Sequence, residues 1–167
     1  MLRALRPDLE YLPIRGNVDT RLRKCDEGVV DAVVLAYAGL RRLGLAARAT
    51  EVLDPSICLP AIGQGALAVE RRADDAEAAA ILDALGHVET SRAVSAERGV
   101  MTAVEGSCQV PVAAYAVRRG ADLFLRAMLA EPDGTRARFR DVTVPFPESD
   151  RAAFVVGEAL GKELRGA

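Results

Sequence analysis

Two turn signals late in the chain, Arg119-Gly120 and Pro132-Asp133-Gly134, constrain the fold more than any other feature. They divide three short apolar runs, Ala113–Val117, Leu123–Leu129 and Phe139–Val144, into an antiparallel meander. A meander needs cover on its apolar face, and two helices offer it. Over Thr90–Val104, the residues Thr90, Ala93, Val94, Ala96, Val100, Met101 and Val104 fall in one stripe at helical spacing, and Gly106 follows as a stop. Ser149 or Asp150 can cap a final helix whose Ala152, Val156, Ala159 and Leu160 share a face. The end of the chain is thus expected to be a small α+β domain with a three-stranded antiparallel sheet.

The beginning has another rhythm. Tyr11–Ile14 reads as a strand, with Pro13 confining it to an edge or a strand end. Asn17 is placed to cap a helix that passes through Leu22 and stops near Gly28. Val30–Tyr37 is almost wholly apolar, as expected of a strand covered on both faces, and a short helix over Gly39–Leu43 follows. Alternating strand and helix favours a parallel sheet, hence an α/β segment. Pro55, Pro60, Gly63 and Gly65 mark a hinge over Leu53–Gly65, after which Ala66–Glu70 reads as a strand and Asp74–Leu85 as a helix.

Composition narrows the function. Half of the 167 residues are apolar, enough for a packed core, and acidic residues (24) exceed basic ones (22) by only two. Lys and Arg are scattered, so neither nucleic acid nor a membrane surface is an expected partner. The longest apolar stretch, around Val29–Leu40, is interrupted by Asp31 and falls short of the roughly 20 residues that cross a bilayer. No secretory signal is visible near Met1, so the expected compartment is the cytoplasm. Cys25, Cys58 and Cys108 form no close pair, which argues against disulfides and a zinc site. His87, between two expected helices with no partner base or nucleophile in sight, is given a packing or capping role. Gln64 between Gly63 and Gly65 suits a crossing better than a phosphate loop.

Three strings stand out: IRGNVDTRLRKCDEG from Ile14, LPAIGQGALAVERR from Leu59 and VEGSCQVPVAAYA from Val104. Between them lie YAGLRRLGL from Tyr37 and the Leu85, His87, Thr90 spacing that precedes Ala96-Glu97-Arg98. Taken in this order, the strings resemble the porphobilinogen deaminase (hydroxymethylbilane synthase) family over nearly the whole chain. The resemblance implies a transferase of tetrapyrrole (porphyrin, haem) biosynthesis that joins four porphobilinogen units into hydroxymethylbilane and releases ammonia. It implies an α/β fold, with an incomplete periplasmic-binding-protein-like lobe, followed by the small α+β domain. Residues 1–63 resemble part of the second lobe, 64–86 a segment returning to the first, and 87–167 the third domain.

The same resemblance implies a covalent dipyrromethane cofactor on Cys108, through a thioether, and a monomer when the fold is complete. Porphobilinogen carries acetate and propionate groups, which guanidinium forks suit. Arg15, Arg21 and Arg42 match positions where the family binds substrate carboxylates, and Arg15 and Arg21 match cofactor-binding positions too. Arg41 matches less well. Cys108 follows a helix end, where the dipole disfavours a thiolate, so no strong lowering of its thiol pKa by the dipole is expected. Cys25 and Cys58 match no family function. The family's His-Ser-x-Lys-Asp string, which holds its catalytic aspartate, is not present, nor is the Ser-x-Arg-Arg stretch before the Arg15 segment. Asp19 and Asp31 match neither position, so no catalytic acid is assigned. Ser107 stands where many members carry glycine. A chain with these departures is expected to look truncated and to be inactive alone. The competing expectation is a non-catalytic module of periplasmic-binding type that holds a small anion.

Overall fold

The computed structural model describes residues 1–105 and 110–166. In chain order the elements are α1 (Leu2–Leu5), α2 (Val18–Asp26), α3 (Tyr37–Arg42), a 3-10 turn (Ala46–Arg48), α4 (Ala76–Asp83), α5 (Val88–Ala103), β1 (Val112–Arg119), β2 (Asp122–Leu129), β3 (Arg138–Pro145) and α6 (Asp150–Gly166). They form two compact units, one of residues 1–6 with 55–167 and the other of residues 7–54.

In the larger unit the three strands pair antiparallel in the order β1-β2-β3, with Arg119 opposite Asp122 and Leu129 opposite Arg138. Both predicted turns lie where the sequence puts them. Asp133 holds the second one by accepting from the backbone N–H and the hydroxyl of Thr135 at 2.8 and 2.7 Å. Alternation assigns the faces: Ala114, Ala116, Leu123, Leu125 and Ala127 point to one side. There they meet Ala96, Val100 and Val104 of the α5 segment and Ala153, Leu160 and Leu164 of α6. Leu123, Leu125, Leu164 and Val100 are fully buried, each contributing about 1.5–3 kcal/mol of transfer free energy. On the opposite face Ala113 and Met128 pack with Leu59, and Met1 closes over them with its sulfur 3.0 Å from the Leu59 amide nitrogen.

The helices that cover the sheet touch through their backbones. A Cβ on Gly157 would stand 1.8 Å from the Ala96 carbonyl oxygen, and one on Gly99 would stand 2.1 Å from that of Phe154. Only hydrogen fits there. The face that α6 buries is therefore Ala153, Gly157, Leu160, Gly161 and Leu164. This corrects the predicted face: Leu160 belongs to it, but Ala152 and Ala159 are exposed and Val156 is only half-buried. Counting apolar side chains misplaced the stripe because glycine forms the contact. At the start of α5, Phe146 lies between the guanidiniums of Arg92 and Arg118, 5.2 and 4.6 Å from the ring centre. Thr90, predicted on the buried stripe, is exposed there.

The smaller unit has a thin core, with Leu22 and Leu40 as its buried apolar side chains among the described residues. Asn17 caps α2, its side-chain oxygen accepting from the Thr20 N–H at 2.8 Å. Gly28 ends that helix at φ +70°, with the Val29 N–H reaching back to the Lys24 carbonyl at 2.9 Å. The expected strands Tyr11–Ile14, Val30–Tyr37 and Ala66–Glu70 do not form. A strand is a ladder with a neighbour, and among the described residues these segments have none. Val34 is 62% exposed and Leu67 93%, so neither apolar run is covered as a central strand would be.

Candidate functional site

The smaller unit gathers cations at the start of α2. Gly16, at φ +122°, turns the chain into the helix with its Cβ position filled by the Thr20 side chain, 2.8 Å away. The Gly16 carbonyl accepts from Arg21 Nε at 2.8 Å, and the Arg15 carbonyl from Lys24 Nζ at 3.5 Å. Arg15, Arg21 and Lys24 thus share one loop and one helical turn. Val18, on the first turn of α2, lies 3.9 Å from the Cβ position of Gly39 on α3, the helix whose last residue is Arg42.

Their partners sort these cations. In the same unit Arg48 pairs with Asp26 at 2.6 Å and Arg23 with Glu27 at 3.7 Å. Arg15, Arg21 and Arg42 have no carboxylate partner among the described residues, and Arg21 engages only Nε. Arg41 has none either. Guanidiniums left with open N–H forks, Arg15 and Arg21 at the start of α2 and Arg42 at the end of α3, suit a polycarboxylate such as a pyrrole bearing acetate and propionate arms. The donor set therefore fits the dipyrromethane group that the resemblance implies.

Cys108 lies outside the described residues, as do Gly106, Ser107 and Gln109. The sequence on either side is described: α5 ends at Ala103, Glu105 takes a left-handed φ of +54°, and β1 begins at Val112. Cys25 is half-buried in the smaller unit, its thiol 3.8 Å from the Asp31 carbonyl oxygen. His87 caps α5, its Nδ1 2.8 Å from the Thr90 hydroxyl and accepting from the Thr90 N–H at 3.3 Å. Asp19 sits exposed in the first turn of α2. Among the described residues no group of three or more His, Cys, Asp or Glu could hold a metal ion. No described helix is long and apolar enough to cross a membrane.

One residue was not singled out by itself in the sequence. Glu97 is 7% exposed, the one buried charged side chain among the described residues. Its Oε2 accepts from the Gly63 N–H at 2.7 Å and its Oε1 from the Ala116 N–H at 2.9 Å. Burial pushes the carboxyl above its usual range, and the two backbone donors oppose that rise. The signal was a carboxylate between Ala96 and Val100, inside an apolar stripe.

Comparison of the sequence with known proteins defines the class: two family models of a cofactor-binding enzyme match it in succession. Residues 1–80 match the family model described as porphobilinogen deaminase, dipyromethane cofactor binding domain, and residues 91–166 match that of the porphobilinogen deaminase C-terminal domain. The porphobilinogen deaminase of Sorangium cellulosum is 60% identical over 164 residues, 98% of this chain and 55% of the relative. That of Desulforudis audaxviator is 56% identical over 163 residues, 98% of this chain and 50% of the relative. That of Paraburkholderia phytofirmans is 50% identical over the whole chain and 47% of the relative. The chain belongs to the porphobilinogen deaminase family, and it spans about half the length of the curated relatives it matches.

Proposed function

We propose that this chain is the cofactor-bearing part of a hydroxymethylbilane synthase, which joins four porphobilinogen units with release of ammonia. The observation that carries the reading is the set of unpaired guanidiniums, Arg15, Arg21 and Arg42, within the segment matched by the dipyromethane cofactor-binding domain. In this reading residues 1–63 form part of a periplasmic-binding-type lobe, 64–86 return to a first lobe, and 87–167 form the domain carrying the cysteine. In this reading the protein, when its fold is complete, works as a monomer in the cytoplasm, without nucleic acid or membrane.

Each residue has a task that its chemistry allows. Cys108 Sγ forms the thioether that tethers the cofactor. Arg15 and Arg21 hold carboxylates of the tethered pyrroles, and Arg15, Arg21 and Arg42 hold those of incoming substrate. When bound, dipyrromethane supplies a pyrrole carbon to which the first substrate unit is joined. A carboxylate that stabilises the positive pyrrole nitrogens is still required, and neither Asp19 nor Asp31 is assigned that role.

Turnover tests the reading. The 167-residue polypeptide, incubated with porphobilinogen, is expected to release no ammonia. Joined at its start to the remainder of the Sorangium relative, it is expected to form hydroxymethylbilane. Replacing Arg15 and Arg21 together by Ala in that fusion is expected to lower kcat/KM at least a hundredfold, about 2.7 kcal/mol in transition-state stabilisation. Ammonia release by the isolated chain would refute its inactivity alone, and full activity of the double variant would refute the arginine assignment.

A further inference from the structure

We propose that His87 is a pH-operated latch at the corner between α4 and α5: the neutral ring closes the start of α5, and the protonated ring releases the corner so that α4 swings while α5 stays seated. His87 is the only histidine of the chain, and it lies between the two segments that the family models match. The Thr90 N–H can only donate, so the Nδ1 that accepts it at 3.3 Å must keep its lone pair, which puts the proton of the neutral ring on Nε2. The Thr90 hydroxyl, 2.8 Å from the same Nδ1, donates to it in that state. A proton on Nδ1 sets N–H against N–H. The cap is then lost, the hydroxyl turns to accept, and a positive charge stands at the positive end of the α5 dipole.

What the cap controls follows from burial. α4 buries no residue, and Ile81 and Leu85 are 64% and 72% exposed, so the direction of α4 is set at its corner rather than by packing. There the Leu85 N–H donates to the Leu82 carbonyl and the Gly86 N–H to the Asp83 carbonyl, at 3.0 and 3.1 Å, and His87 is the next residue. α5 is held independently of its cap. The Ser91 hydroxyl donates to Asp150 at 2.6 Å, Arg92 donates to the Glu148 carbonyl at 2.7 Å, and Gly99 abuts α6. Losing the cap therefore loosens the corner and not the helix. The charged groups around His87 are Glu89 on its own helix, paired with Arg118 at 2.6 Å, and Asp83, Arg71, Arg98 and Asp150, which line the cleft that His87 borders. With two groups of each sign in that cleft, what protonation of the ring removes is the acceptor at Nδ1. Imidazoles as a class exchange this proton between pH 5 and 8.

The test uses the full 167-residue chain and needs neither cofactor nor turnover, so it stands apart from any failure of the cofactor reading. At pH 8 a long-range proton–nitrogen spectrum is expected to show the His87 ring protonated at Nε2 and bare at Nδ1; the opposite tautomer would sink the latch. Protection of the Thr90 amide, taken relative to its intrinsic exchange rate at each pH, is expected to fall about fivefold between pH 8 and pH 5. In His87→Asn, whose side-chain oxygen accepts at either pH, that protection is expected to stay level. The swing of α4 is read by spin labels on Glu77→Cys and Lys162→Cys, with the three native cysteines replaced by Ser. A control pair on Thr143→Cys and Lys162→Cys reports the sheet against α6. Acidification is expected to widen the first distance distribution at least twofold and leave the control pair unchanged. Widening that persists in His87→Asn belongs to another group, Glu97 above all, and would overturn the proposal, as would equal widening of both pairs or none in the first.

Discussion

Arg126 and Asp141 face each other across β2 and β3 with two parallel contacts, Nε to Oδ1 at 2.8 Å and Nη2 to Oδ2 at 2.6 Å. The Arg126 guanidinium holds the Asp141 carboxyl below the usual carboxylate range, so the pair adds stability above the unfolded pKa of about 3.9 and loses it as pH falls through the lower folded value. Both side chains are about a third exposed, which limits the coupling to about 1 kcal/mol, measurable by a double-mutant cycle with Arg126→Met and Asp141→Asn at neutral pH. Glu97 behaves with the opposite sign. Its folded pKa is raised, so its contribution is fully present below the unfolded value and is lost as pH rises through the folded one. Urea unfolding at several pH values is expected to show the stability of the unsubstituted chain relative to Glu97→Gln falling as pH rises from 4 toward neutrality; a relative stability that rises would contradict this.

At the scale of elements, α5 against α6 is the contact most exposed to a single atom. Gly157→Ala places a methyl against the Ala96 carbonyl and is expected to cost about 3 kcal/mol or more, read as a fall in the urea midpoint. Asn17→Ala removes the α2 cap and is expected to cost about 1 kcal/mol, read as lost protection at Thr20. Elements whose signals are local were legible in the sequence. The turns at Arg119-Gly120 and Pro132-Asp133-Gly134, the Asn17 cap and the α5 span rest on neighbours a few residues away. Strands at 11–14, 30–37 and 66–70 were not, because apolarity marks a segment that wants a partner and does not supply one. The Arg15, Arg21 and Arg42 set was found through family strings, and the buried Glu97 only once its two backbone donors were placed.

Considered whole, the chain joins a well-packed larger unit to a smaller one that buries few apolar side chains. Leu67, Val69, Ile81 and Leu85 in the larger unit are more than half exposed. Apolar surface of this extent is expected to bind a hydrophobic dye such as anilinonaphthalene sulfonate at neutral pH, and the fusion with the remainder of the Sorangium relative is expected to lower that signal. The central claim concerns one sulfur atom. Peptide mapping by mass spectrometry of the active fusion tests it most directly. The account predicts an added dipyrromethane on the peptide containing Cys108 and none on those containing Cys25 or Cys58. An active protein whose Cys108 peptide has its unmodified mass would contradict it.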